Sequence, residues 1–132
     1  MEANTLLAFE EDILNRSWQD WVKAHTSFQK PLHRYEGHLN LYADRLTFVG
    51  VDSKTNAKAR FDFYKSQIDQ LYLGFDEVYK SSETRSLGLG WVPLRLTLSL
   101  DEGERYVYLI TNYHFGKTDN LELFEDLKAW AG

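Results

Sequence analysis

Gly37-His38-Leu39-Asn40-Leu41-Tyr42-Ala43-Asp44-Arg45-Leu46-Thr47-Phe48-Val49-Gly50 alternates apolar and polar residues on both sides of Ala43-Asp44. In an extended chain Gly37, Leu39 and Leu41 share one face, and Leu46, Phe48 and Gly50 share one face of the next segment. The pattern predicts two antiparallel strands joined by a tight turn. Period two continues downstream. Ala59, Phe61 and Phe63 alternate with Lys58, Arg60 and Asp62. Ile68, Leu71, Leu73 and Phe75 follow, and the odd step from Ile68 to Leu71 predicts a bend before the strand proper. Leu94, Leu96, Leu98 and Leu100 alternate with Arg95, Thr97 and Ser99. After the turn Asp101-Glu102-Gly103-Glu104, Tyr106, Tyr108 and Ile110 alternate with Arg105, Val107 and Leu109. That last strand is apolar on both faces, as expected of one covered by another element. The period then changes. Asp119 to Trp130 carries Leu123, Leu127 and Trp130 on one stripe, with Leu121 and Phe124 beside it, and predicts an amphipathic helix. Asp119 and Glu122 have capping-box spacing.

The N-terminal region reads two ways. Leu6, Phe9 and Ile13 fall on a helical stripe within residues 5–15, and Leu7, Leu14, Trp18 and Trp21 also have helical spacing. Either one helix runs to about residue 22, or it stops near Asn15 and a first strand begins at Trp18-Gln19-Asp20-Trp21-Val22. Residues 23–35 read as a loop.

Composition narrows the class. A chain of 132 residues is enough for one domain, residues 1–132, and too short for two. It is 43% hydrophobic and 27% charged, the balance of an ordinary globule. It has no Cys, which excludes disulfides, thiolate metal ligands and a Cys nucleophile and fits a cytoplasmic location. No apolar run approaches the ~20 residues of a membrane span, and the start lacks a basic signal region. The net charge of −5 opposes binding to nucleic acid and makes membrane binding weak at most. A chain that begins with Met and ends directly after a helix reads as a stand-alone module.

Strands first and one Trp-bearing helix last resembles the bacterial pleckstrin-homology-like and GRAM-like domains. The segments that carry the resemblance are Gly37-x-Leu39-x-Leu41, Arg45-Leu46-x-Phe48, Phe61-x-Phe63, Ile68-Asp69-Gln70-Leu71 and the helix with Trp130. It spans roughly residues 14–131. The resemblance implies a mainly β fold: a seven-strand barrel of two packed antiparallel sheets, closed by the C-terminal helix with Trp130 as its plug. It favours a short N-terminal helix followed by a first strand within residues 16–24. It also implies that the loop between the first strands grips a phosphoinositide headgroup in lipid-binding members, which here would use Lys23, Lys30, His33 and Arg34.

Catalytic chemistry finds little support in the residues. His25, His33, His38 and His114 lack the local spacing of metal ligands. No Gly-x-Ser-x-Gly elbow occurs. Gly88 and Gly90 have no Lys-Ser/Thr sequel and mark a kinked strand better than a phosphate cradle. The expectation is a non-enzymatic binding or protein-interaction module, without cofactor or metal, whose partner is another protein or a second copy. A lipid or small-molecule carrier barrel is the alternative, together with weak headgroup binding by the 23–34 loop. The long excursion 76–92 offers an interaction surface: Tyr79, Arg85 and Trp91 would serve as anchors if the segment projects as a hairpin. The other arrangement folds both rings back onto the barrel.

Overall fold

The computed structural model describes residues 2–15, 31–81, 91–114 and 117–131. The strands are β1 (Glu2–Phe9), β2 (Tyr35–Leu41), β3 (Arg45–Asp52), β4 (Lys58–Tyr64), β5 (Ile68–Leu73), β6 (Leu94–Leu100) and β7 (Gly103–Thr111). A short helix α1 (Glu10–Leu14) follows β1, and α2 (Asn120–Ala131) ends the described chain. All described pairings are antiparallel and form one curled seven-stranded sheet in the order β4-β3-β2-β1-β7-β6-β5. The two halves of that sheet curl around one inner core. Leu39, Leu46, Phe48 and Phe63 from one half join Leu94, Leu96, Leu98, Val107 and Leu109 from the other. Among the described residues no helix is long and apolar enough to cross a membrane.

The first strand lies earlier than the spacing of apolar residues predicts. Residues 5–9 form no helix; they complete the middle strand of the sheet, and the helix is confined to Glu10–Leu14. The reason is burial on both faces. Leu7 and Phe9 enter the inner core, whereas Leu6 and Ala8 enter a second cluster on the outer face. A strand sandwiched in this way shows a continuous apolar run, which fits a helical stripe as readily as a strand. Residues 16–24, offered as the first strand by the resemblance, lie outside the described residues.

The β2–β3 hairpin forms as predicted, with Gly37 directly opposite Gly50. Each glycine faces the backbone of the other strand so closely that a Cβ on either would collide with a carbonyl oxygen, that of Val49 or Glu36. The pair therefore lets two strands approach where the sheet curls. The bend expected before Leu71 is a 3-10 turn at Lys65–Gln67 and a register shift between Ile68 and Gln70.

The closing helix also differs in one respect. Leu123 and Leu127 are its buried residues in the inner core, while Trp130 is only partly buried and packs at the margin. Its indole Nε1 donates to the Tyr42 carbonyl at 2.8 Å, and the Lys65 ammonium lies over the ring. Trp130 thus ties the helix to the β2–β3 turn, and Leu127 does the plugging. The Asp119 carboxylate accepts from the Asn112 amide. The helix start is fixed instead by buried Asn120, whose Oδ1 accepts from Thr111 N and Oγ1 and whose Nδ2 donates to Val92 O and Leu109 O.

Candidate functional site

The outer face of the sheet is divided in two. Over β1, β7 and β6 it is sealed by residues 75–79 and 91. Asp76 makes the seal. Its Oδ1 accepts from the backbone N–H of Val78 and Tyr79, so the carboxylate closes a turn. Its Oδ2 accepts from Arg95 Nη1 at 2.9 Å and from the Tyr108 hydroxyl at 2.8 Å, so the same group pins the turn to β6 and β7. The ion pair is almost fully buried, with side-chain exposures of 10% for Arg95 and 4% for Asp76. The Arg95 guanidinium lies between the rings of Tyr72 and Tyr106, and its Nη2 donates to Gln70. Its Nε is buried without a hydrogen-bond partner. Burial and the bond to Asp76 push the Tyr108 phenol far above its ordinary range, so it stays a neutral donor.

This seal places Tyr79 and Trp91, the two expected anchors of the 76–92 excursion that are among the described residues. Tyr79 and Trp91 are buried, at 0% and 6% exposure, and neither is an exposed anchor. Their rings pack with Phe75, Tyr108 and Tyr113. The Tyr79 hydroxyl donates to the Leu32 carbonyl at 2.8 Å. The physical reason is the apolar outer face of β1 and β7, where Leu6, Ala8, Tyr108 and Ile110 need a cover. Arg85, the third residue of that expected surface, lies outside the described residues.

The expected headgroup cations divide similarly. Lys23 and Lys30 lie outside the described residues. Arg34 Nε and Nη2 donate to the two carboxylate oxygens of Asp52 at 2.8 and 2.7 Å, a bidentate pair. That pair, with backbone donors from Lys54 and Thr55, pulls the Asp52 carboxyl from 3.8 down to about 2. His33 Nδ1 lies 2.7 Å from the Pro31 carbonyl, and Nε2 lies 3.6 Å from Glu36. His33 and Arg34 are neighbours in space as in sequence, but both engage the protein's own acceptors.

Among the described residues, nothing covers the outer face over β2, β3 and β4. It presents His38, Val49, Lys58, Arg60 and Tyr64 as exposed residues, with Asn40, Val51 and Asp62 half-buried between them. Val49 is 46% exposed and Tyr64 44%, the two large apolar groups of this surface. Thr47 donates to Asp62 at 2.7 Å, which fixes the carboxylate against the sheet. Where β1 meets β2 lies a cleft of about 550 Å³, lined by Asn4, Leu6, Glu36, Asn112, Tyr113 and His114 among others. Asn112 sits at φ 51°, a left-handed backbone that Asn tolerates. It clamps β1: its N–H donates to the Asn4 carbonyl and its side-chain oxygen accepts from the Asn4 N–H.

Among the described residues no three His, Cys, Asp or Glu side chains converge as a metal-binding group. No protein-family model matches the chain, and no curated protein is similar enough to count as a relative. The buried polar knots at Asp76, Arg95 and Asn120 escape a reading by periodicity. The one signal for them is chemical: Asp76 opens a turn-forming stretch, and Arg95 is the one charged residue on the polar side of the β6 alternation.

Proposed function

We propose that the protein is a non-enzymatic binding module of pleckstrin-homology-like architecture, which engages a partner through the open outer face of β2–β4. The observation that carries the reading is the contrast between the two halves of one face. Over β1, β7 and β6 the chain spends Asp76, Arg95, Tyr79 and Trp91 on covering the sheet. Over β2–β4 it leaves Val49 and Tyr64 exposed among charges of both signs. Exposed apolar groups rimmed by polar ones are the usual composition of an interaction surface. The barrel reading is supported by the strand order, which leaves β4 and β5 as the two ends of the curl, and by α2 packing into the shared inner core.

Affinity capture with the full chain as bait tests the proposal. The wild-type protein should retain a defined partner from the lysate of its own cells, and Val49→Arg should lose it while melting at the same temperature. Identical retention by the two baits, or no retained protein, would remove this face from consideration.

A further inference from the structure

We propose that a second copy of this chain is the partner of the β4 edge, paired antiparallel with it in a register centred on Phe61. The inference names an occupant for part of the binding face proposed above and so rests on that reading. β4 ends the strand order, and among the described residues only β3 pairs with it. The chain leaves β4 through the turn at Lys65–Gln67, and among the described residues no ladder joins β4 to β5. An end strand presents a row of backbone donors and acceptors to any strand of matching side chains.

The side chains match those of the same strand reversed. The sequence is Lys58-Ala59-Arg60-Phe61-Asp62-Phe63-Tyr64. Antiparallel pairing about Phe61 sets Arg60 opposite Asp62 of the second copy, and a two-fold axis repeats the pair on the other side. Lys58 then stands opposite Tyr64, a cation beside an aromatic face. All four residues lie on the outer face, where opposite-charge and aromatic cross-strand pairs are favourable. The Arg60 side chain is 60% exposed and donates to Asp62 of its own strand at 3.4 Å, a long contact that pairing with a second copy would exchange for the cross-strand one. A strand bearing only lysine or arginine would repel its own copy; this one places opposite charges symmetrically about its centre. A single pair of seven-residue strands is a small interface, so the dimer should be weak.

Sedimentation equilibrium on the full chain tests the register by charge exchange. The wild type should self-associate, and Arg60→Asp and Asp62→Arg should each weaken association about tenfold, because both cross-strand pairs become repulsive. Mixing the two variants one to one should restore association, since each heterodimer again sets Asp against Arg. Amide exchange on the wild type is a second measurement that needs no substitution: β4 should gain protection as concentration rises. A wild type that stays monomeric at its solubility limit would overturn the inference. So would self-association that the exchanges leave untouched, or β4 amides indifferent to concentration. A chain that fails here yet loses a different captured protein on Val49→Arg keeps the binding-module reading and loses only the edge.

Discussion

Three residues carry more of this structure than their place in the chain suggests. Asp76 closes a turn and neutralises a buried Arg95 with one carboxylate. Truncating one partner of a buried ion pair leaves the other charge stranded, so Asp76→Ala should cost about 3–5 kcal/mol. Thermal or urea unfolding measures it, and a shift of only a few tenths would mean that the pair is solvated. Trp91→Ala should cost a similar amount, about 3–5 kcal/mol, through a cavity in the outer cluster, and should leave self-association unchanged. Asp52 brings a pH dependence. Its carboxyl is held at about 2 by Arg34, below its ordinary 3.8, so the charged form stabilises the fold. That contribution is complete above about pH 4 and fades as pH falls from there through about 2. Arg34→Ala should flatten this acid limb of the stability profile. None of these roles was readable from alternation, which groups Arg95 with the polar residues of its strand and leaves Tyr108 on one of two apolar faces without indicating which is covered.

At the scale of elements, the legible parts were those with one polar and one apolar face. β2, β3, β4, β6 and β7 and the closing helix all lie close to where period two and period 3.6 place them. β1 was not legible, because Thr5-Leu6-Leu7-Ala8-Phe9 is buried on both sides and loses its alternation. The weight carried by α2 was misplaced by one turn for a related reason: a Trp suggests a plug by its size, but Leu127 points deeper. Leu127→Ala should therefore cost about 2–5 kcal/mol. Trp130→Ala should cost less, about 1–2 kcal/mol, chiefly the hydrogen bond to Tyr42 and marginal packing. Equal melting temperatures for the two variants would contradict this ranking.

The whole molecule is an acidic chain whose sheet is sealed on one half of its outer face and open on the other. With a net charge of −5, and with Arg34 and His33 engaged by the protein's own acceptors, it should sediment poorly with phosphoinositide vesicles at physiological salt. The candidate site was legible only in part. The exposed residues of β4 follow from period two, but which half of the outer face stays open depends on a cover formed by residues far along the chain. That division is the central claim, and covalent surface footprinting of the full chain reads it in one measurement. Val49 and Tyr64 should label heavily, while Tyr79 and Trp91 stay unlabelled until the protein is unfolded. Labelling of Trp91 at the level of Tyr64 in the folded protein would contradict the account, because the sealed half would then be the exposed one.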